Sequence, residues 1–487
     1  MYSVTPDIIP FKSPVQSEFL TQAELKTLKS KTLYLLEEVG VHFPSPTALE
    51  IFANHGAKVD FDQELVRIPA DLVENAMSTA PRAFVLGGRE LRFDLYLDGS
   101  CSYLSTDGTG IHVVDPDTRN KRSPTKQDVA LMARVSDALP LVSFYWPMVS
   151  AKDYERTAPL HECHAGLTNT LKHVRGGTTV NPRLAPYVVE MATAVAGNTE
   201  TLINRPPICA NICTISPLGQ DRDGIETALI YAQAGIPISF MAMPNMGSTA
   251  PATPLGALIM GDAEVISAMV LIQLAYPGAP VFHAIFTSLM DPRTGGYISE
   301  TPTLLYMMAK QLAHAWGVPS LGGARVSGDA PVLGWQSGYE VGLGAGMIAL
   351  AGGEICGLMG LVGGATTLYP EEVILDHQAC LHVYDMLHDK RFDEIEPALE
   401  VIKQVGPRGH FLAQLHTREN VQRFRLPHLF RRKTSDGELS DPRKLALEQF
   451  KHIAATHQPK PLPEEVLAEL DRILAAAERE AENIYGR

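Results

Sequence analysis

The chain has 487 residues, of which 45% are hydrophobic and 20% charged, a composition typical of a globular protein. Its formal net charge of −14 argues against a nucleic-acid partner, because binding phosphates needs a basic surface. No apolar run is long enough to span a bilayer, so the sequence predicts no membrane segment.

The N-terminal residues have neither a basic start nor an apolar core, so no signal peptide is expected. The 6 cysteines are sparse and irregularly spaced, which is typical of a reducing compartment. We therefore expect a cytoplasmic protein.

Residues 1–100 predict a small α/β cap that packs on the domain after it. Thr21 and Glu24 form a capping-box pattern, in which each side chain accepts a hydrogen bond from the other residue's backbone amide. The helix that begins there is expected to end at Gly40.

Between residues 101 and 390, a short apolar or glycine-rich run followed by a turn and an amphipathic helix recurs eight times. Strands that alternate with helices indicate βαβ units, and eight such units predict an α/β fold of the (β/α)8 TIM-barrel type. An alternating segment with a turn at Asp115 predicts a β-hairpin inserted at residues 108–124. The eight runs begin at Cys101, Val142, His173, Pro206, Ile236, Ala279, Val318 and Glu354.

Several predicted barrel helices are apolar almost all round, notably at residues 256–275, 301–316 and 335–351. Such helices must be covered on more than one side. The sequence leaves two covers open, a homo-oligomer interface or the N-terminal cap. Residues 391–487 predict a helical extension, whose last helix begins near Pro463 and carries one apolar stripe for docking on the barrel or on a neighbouring subunit.

Functional residues of a (β/α)8 barrel lie at the C-terminal ends of its strands. Asp107 follows the first strand, where it either contacts a ligand or only shapes the turn. Asn211 and His283 are expected to face inward because the opposite faces of their strands are apolar, although His283 can equally be a core residue. Aromatic candidates near the strand ends are Tyr145, Trp146, Phe286 and Tyr369.

The barrel mouth is predicted to be roomy. Met243 and Met246 follow the fifth strand, where thioethers suit a large flat cofactor or an alkylated cation. Glycines such as Gly323 and Gly364 in the last two loops allow a large group to approach. No P-loop and no strand–GxGxxG–helix unit is present, so no nucleotide site is predicted.

His161 and His164 share one face of a predicted helix and are potential metal ligands. A metal site needs three or four converging ligands, and no second cluster has matching spacing. A packed or interface pair is therefore favoured, and no metal is expected.

Five segments together resemble the trimethylamine methyltransferase superfamily. They are LEEVGV at 36–41, STDGT at 105–109, DPDT at 115–118, RSPTKQD at 122–128 and QSGYE at 336–340. The resemblance implies a cytoplasmic barrel that transfers a methyl group from a methylamine to the cobalt of a separate corrinoid protein.

The trimethylamine enzymes of this superfamily carry pyrrolysine near the barrel mouth, in the stretch equivalent to residues 325–336. This sequence has only standard residues there. A tertiary amine leaves as an amide anion unless it is first protonated or captured, whereas a quaternary ammonium leaves as a neutral tertiary amine. The resemblance therefore implies a pyrrolysine-free enzyme that demethylates a quaternary amine. Glycine betaine is favoured, with carnitine and proline betaine as other substrate types.

For such a substrate, Asp107 is expected to offset the positive charge while aromatic faces contact the cation. The carboxylate of a betaine needs a donor, for which Arg175, Arg325 and His283 are candidates. Cob(I)alamin is expected to arrive with the partner protein and to face Met243, Met246, Gly323 and Gly364. No single catalytic residue is predicted.

Two other functions are left open at this point. A metal-dependent hydrolase on the same barrel would use His161, His164 or His283. A non-catalytic betaine-binding protein would need only the pocket.

Overall fold

The structure is a computed structural model that describes residues 3–14, 16–299, 303–322, 328–388, 392–421, 429 and 441–485. Its N-terminal part contains the predicted capping box. The Thr21 hydroxyl accepts from the Glu24 amide, and the Glu24 carboxylate accepts from the Thr21 amide at 2.8 Å. The helix ends where predicted, at Gly40, whose φ of 87° favours glycine. The elements are α1 (Gln22–Tyr34), β1 (Val41–His42), α2 (Pro46–Asn54), β2 (Lys58–Asp60), β3 (Leu65–Arg67), α3 (Ala70–Met77), β4 (Phe84–Leu86) and β5 (Leu95–Leu97).

Eight parallel strands form the predicted closed barrel, and each pairs with the strand before and after it in the ring. The ring closes where Ile355 pairs with Tyr103, and between its sixth and seventh strands where His283 pairs with Ser320. The barrel strands are β6 (Tyr103–Thr106), β9 (Val142–Tyr145), β10 (His173–Gly177), β11 (Ile208–Ile215), β13 (Ile238–Ala242), β15 (Val281–Ile285), β18 (Leu321–Gly322) and β19 (Ile355–Met359).

A proline stands directly before several of these strands. Pro207, Pro237 and Pro280 precede β11, β13 and β15 by one residue, and each carbonyl oxygen accepts a hydrogen bond from the neighbouring strand. Proline has no amide hydrogen to donate within a sheet, so it fits the start of a strand but not its interior. The strands consequently begin two residues later than the apolar runs suggest.

The remaining short strands lie at the barrel mouth or join the barrel to the N-terminal part. The hairpin β7–β8 is extended by two strands from the loop after β19, giving a four-stranded sheet at the mouth. These strands are β7 (His112–Val114), β8 (Lys121–Arg122), β12 (Gly219–Gln220), β14 (Asn245–Met246), β16 (Ser288–Met290), β17 (Tyr297–Ile298), β20 (Leu361–Val362) and β21 (Thr367–Leu368).

Helices surround the barrel. The most apolar, α9, is long enough to cross a membrane by length and composition, but 83% of its apolar window is buried. It packs on β13 and β15 and is covered by α1, α2 and α3, so the N-terminal part is its cover. The barrel helices are α4 (Lys126–Asp137), α5 (Ala158–Asn169), α6 (Ala185–Ala196), α7 (Thr199–Asn204), α8 (Arg222–Gln233), α9 (Pro254–Ala275), α10 (Thr303–Trp316), α11 (Trp335–Ala351) and α12 (Glu372–His388).

The C-terminal part returns to the barrel wall. Its last helix begins at Glu464, buries Leu470, Ile473 and Leu474, and packs on α5 and α6. Its docking surface is thus the barrel of its own chain. The division into 1–100, 101–390 and 391–487 stays a prediction. The C-terminal helices are α13 (Ile395–Val405), α14 (Leu415–Asn420), α15 (Pro442–Thr456) and α16 (Glu464–Tyr485).

Candidate active site

A cavity of about 720 Å³ opens at the C-terminal ends of the barrel strands. This is the end at which barrels of this type build their sites. Its walls come from most of the barrel strands or the loops that follow them. They include Asp107, Ile111, Trp146, Thr178, Val180, Asn211, Cys213, Ile215, Asp221, Met241, Met243, Phe286, Gly357 and Gly364.

The structure brings four of the predicted substrate residues together at this cavity. Asp107, Trp146, Asn211 and Phe286 all line it, and each is less than a tenth exposed. They come from β6, β9, β11 and β15 or the residues directly after them. The strand-end rule therefore located them, and their contact with a substrate stays a prediction.

The backbone around Asp107 is tightly held. The Asp107 amide donates to the Met359 carbonyl at 2.8 Å, and its carboxylate accepts from the Gly108 amide at 2.9 Å. A Cβ at position 108 would collide with the Pro147 carbonyl oxygen and the Trp146 ring, so glycine is required. Asp107 thus shapes the turn and lines the cavity at once.

Trp146 is positioned by the preceding strand. The Thr106 hydroxyl accepts from the Trp146 amide at 2.8 Å and donates to the Trp146 carbonyl at 2.7 Å. The guanidinium carbon of Arg175 lies over the Trp146 ring, 3.9 Å from the centre of that ring. One side of this predicted aromatic contact is therefore already occupied by a cation.

Arg175 is 1% exposed and lies behind the cavity wall. Its Nη2 donates to the amide oxygen of Asn211 and, at 3.4 Å, to the Ser239 hydroxyl. Its Nε and Nη1 lack a partner within the described part of the chain. Burial lowers the pKa of Arg175 to about 10, opposed by Cys209, Cys213 and Asp107, so the side chain is charged at neutral pH.

The expectation that His283 faces inward is wrong. Its Nε2 lies 2.8 Å from Oδ1 of Asp262, on α9 outside the barrel. Asp262 also accepts from the Thr32 hydroxyl at 2.5 Å and from the Trp316 indole nitrogen at 3.1 Å. The helix layer outside the barrel thus holds a buried carboxylate that needs hydrogen-bond donors. His283 therefore faces outward, opposite to the expectation from an apolar exterior.

Two of the predicted aromatic residues do not line the cavity. The Tyr145 hydroxyl donates to the Val129 carbonyl at 2.9 Å, and burial in this outer layer raises the pKa of Tyr145. Tyr369 lies near the mouth hairpin, with the Arg119 guanidinium 5.6 Å from its ring centre. Both follow or end a strand, but neither lines the cavity, which strand position alone does not determine.

Of the residues predicted to face a corrinoid, some line the cavity and one does not. Met243 is 48% exposed and lines the cavity, as does Gly364. Met246 is buried against Ala257 and Leu305 and does not line the cavity, so that prediction is wrong. Gly323 and Arg325 lie outside the described residues.

His161 and His164 lie under the last helix. Their Nε2 atoms are 3.0 Å from Glu478 and 3.1 Å from Asp471, and the His161 ring stacks on Tyr154. Among the residues that the structure describes, no group of three or more His, Cys, Asp or Glu could hold a metal ion.

Sequence reasoning missed several cavity residues. Thr178 and Val180 are the first and third residues after β10, and Ile111 lies between Asp107 and the mouth hairpin. The strand-end rule was the available signal for all three. Ile215 and Asp221 were harder to find, because β11 continues past the barrel to pair with β12.

Comparison with known proteins gives a consistent result. The model of the trimethylamine methyltransferase (MTTB) family matches residues 9–482. The chain is 32% identical over 471 residues to "Trimethylamine methyltransferase MttB" of Desulfitobacterium hafniense strain DCB-2, covering 95% of this chain and 94% of that protein. It is 27% identical over 475 residues to "Glycine betaine methyltransferase" of D. hafniense strain Y51, covering 95% and 97%. The solved Methanosarcina barkeri monomethylamine methyltransferase (MtmB) aligns with a TM-score of 0.46 and 14% identity, over 97% of this chain and 89% of that one.

Proposed function

Because the chain is a methyltransferase that belongs to the trimethylamine methyltransferase family, we propose that it moves a methyl group from a quaternary amine to a corrinoid, releasing a tertiary amine. Glycine betaine is the favoured substrate. The observation that carries the proposal is the cavity at the barrel mouth, which combines the Asp107 carboxylate and the Phe286 ring with Arg175 directly behind its wall.

The choice of a quaternary amine rests on leaving-group chemistry. The stretch at residues 325–336, where the trimethylamine enzymes carry pyrrolysine, contains only standard residues. A quaternary ammonium needs neither a captured nitrogen nor a proton donor, because it leaves as a neutral amine. This chain then has to bind, orient and shield its substrate, and positioning supplies most of the rate enhancement.

The cavity suits a cation without N–H groups. Such a cation is recognised by negative charge, by aromatic faces and by shape. Asp107 supplies the charge and Phe286 an aromatic side chain, with apolar wall from Met241 and Ile215. The relative called glycine betaine methyltransferase supports a betaine among the possible quaternary amines.

The rim of the cavity fits a large flat ring. Ile111, Val180, Ile215 and Met243 are apolar, line the cavity and are each more than 40% exposed. A Cβ at Gly364 would meet nothing within 4 Å, so the rim is open there. A reduced corrinoid supplies a nucleophilic cobalt that accepts the methyl group, and we propose that a separate corrinoid protein brings it to this rim. The role of the rim residues is to keep water from the reacting methyl and to hold the substrate facing outward.

We further propose that the protein works in the cytoplasm as a homo-oligomer, with no nucleic acid, membrane, nucleotide or tightly bound metal in its reaction. Self-association is supported by α11, whose outward face carries Trp335 at 81% and Tyr339 at 47% exposure.

The test is an assay of the full-length protein with free cob(I)alamin and a panel of glycine betaine, carnitine, proline betaine, tetramethylammonium and trimethylamine. We expect glycine betaine to be demethylated fastest, seen as loss of cob(I)alamin absorbance together with dimethylglycine in the mass spectrum. The proposal would be overturned if trimethylamine were demethylated and none of the quaternary amines were. Methyl transfer from S-adenosylmethionine without a corrinoid would also overturn it.

A further inference from the structure

Polar donors without acceptors collect at one wall of the cavity. Nε1 of Trp146, Oγ1 of Thr178, and Nε and Nη1 of Arg175 are all buried and have no hydrogen-bond partner among the described residues. Trp146 and Thr178 line the cavity, and Arg175 lies against the Trp146 ring. Buried donors are normally paired, so an unpaired group of them beside a cavity indicates a missing acceptor.

The hydrogen bonds of Arg175 to described residues bring it no negative charge, and Asp107 acts on its charge electrostatically. The described hydrogen-bond partners of Arg175 are the neutral side chains of Asn211 and Ser239. A buried guanidinium whose partners are neutral attracts an anion strongly, because the surrounding dielectric constant is low. Its planar fork also matches the two oxygens of a carboxylate.

We propose that Arg175, Trp146 and Thr178 form an anion subsite that binds the carboxylate of a zwitterionic substrate. The proposal rests on the proposed function and names its substrate class, betaines rather than simple quaternary cations. Asn211 lines the cavity and its amide oxygen accepts from Nη2 of Arg175, so Nε and Nη1 are the guanidinium donors left for the carboxylate. The same buried charge disfavours choline and tetramethylammonium, which bring a positive charge and no carboxylate.

The first probe is 3,3-dimethylbutanoate, which has the shape of glycine betaine with a neutral carbon in place of the nitrogen. It reports carboxylate binding, and its methyl groups are bonded to carbon and cannot be transferred. Isothermal titration calorimetry on the full chain without corrinoid measures its affinity. We expect Arg175→Met to weaken binding roughly tenfold to a hundredfold. Arg175→Lys falls in between, because it keeps the charge and loses the fork.

A matched pair of threonines supplies the control. The hydroxyl oxygens of Thr178 and Thr227 are both buried and have no partner among the described residues, but Thr227 lies on α8 and does not line the cavity. We expect Thr178→Val to weaken probe binding several-fold and Thr227→Val to leave it unchanged. This pair decides the question even if Arg175→Met fails to fold, as judged by circular dichroism. Absence of binding to the unaltered protein, full binding by Arg175→Met, or equal affinities in the two valine variants each overturn the proposal.

Methyl transfer is scored separately. If no quaternary amine methylates cob(I)alamin while the probe binds through Arg175, the proposed function is wrong and the anion subsite stands. If choline and tetramethylammonium are demethylated as fast as glycine betaine, the proposed anion subsite is wrong and the proposed function stands.

Discussion

Asp107 places a carboxylate at the end of β6, where it lines the cavity that Phe286 also lines. Asp107→Asn keeps the side-chain size and the acceptor for the Gly108 amide but removes the negative charge. We expect kcat/KM for glycine betaine to fall about tenfold or more, since interactions with charged groups contribute roughly 1.5–3 kcal/mol. Steady-state kinetics with cob(I)alamin measures the change.

Asp115→Asn is the control for this substitution, because Asp115 lies in the hairpin turn outside the cavity. It should leave kcat/KM unchanged. If both variants retain full activity, Asp107 only shapes the turn.

His283 belongs to a buried network rather than to the cavity. His283→Leu removes the donor that faces Asp262 at 2.8 Å and leaves that carboxylate with fewer partners. We expect the free energy of unfolding to fall by about 1–3 kcal/mol, because the buried Asp262 side chain loses one of its hydrogen-bond donors. Urea unfolding measures this loss, and KM for the amine should stay the same. A raised KM with unchanged stability would instead place His283 at the substrate.

At the scale of elements, local signals predicted the architecture well. The capping box of Thr21, the stop at Gly40 and the eight repeated runs all correspond to elements of the structure. These signals depend on neighbours in sequence, so sequence reading captures them.

Which face of a strand points inward depended on distant residues. Alternation correctly predicted that His283 and Phe282 lie on opposite faces of β15. It did not predict that His283 faces outward, because this depends on its contact with Asp262 on α9. Tyr145 likewise turns outward to the Val129 carbonyl of α4. The position of these acceptors is a property of tertiary packing, and the sequence does not contain it in any local pattern.

The contact between α16 and α5 predicts a stability that depends on pH. Burial lowers the pKa of His161 to about 3 and that of His164 to about 4, with Lys126 acting in the same direction. Glu478 and Asp471 face the two rings but are exposed, which screens their opposing effect. In the unfolded chain both histidines titrate near pH 6.5. The unfolded chain therefore takes up protons first, and stability falls as pH falls from about 6.5 towards 4.

The double variant His161→Gln, His164→Gln tests this dependence. Each neutral buried histidine costs up to about 1.4 kcal/mol per pH unit in this window. Denaturant unfolding at pH 7 and pH 5 should therefore give a smaller loss for the variant than for the unaltered protein. Equal losses would mean that other groups dominate the acid sensitivity.

At the scale of the whole molecule, the apolar helices divide into two kinds. The N-terminal part covers α9, so this helix needs no other subunit. By contrast, α11 is open on one side. A Cβ at Gly338, Gly342 or Gly346 would meet nothing within 4 Å, and the exposed side of α11 carries no charged residue. An exposed apolar face of this kind marks an interaction surface.

A second copy of the chain fits the α11 face best. The corrinoid partner has to leave in every cycle, and transient interfaces are about as polar as the rest of a protein surface, whereas permanent homodimer interfaces are more apolar. The glycines form a groove beside the side chains of Trp335, Tyr339 and Leu343, so two antiparallel copies can place the ridge of one in the groove of the other.

We expect sedimentation velocity to give a mass above the 53.0 kDa of one chain at micromolar concentration. Leu343→Asp should shift it to the monomer, while Phe61→Asp, at a comparably exposed apolar site on the N-terminal part, should not. If the unaltered protein is a monomer, or if Leu343→Asp leaves the mass unchanged, the α11 face is not a dimer interface. If the monomeric variant still transfers a methyl group to free cob(I)alamin, the reaction takes place within a single barrel.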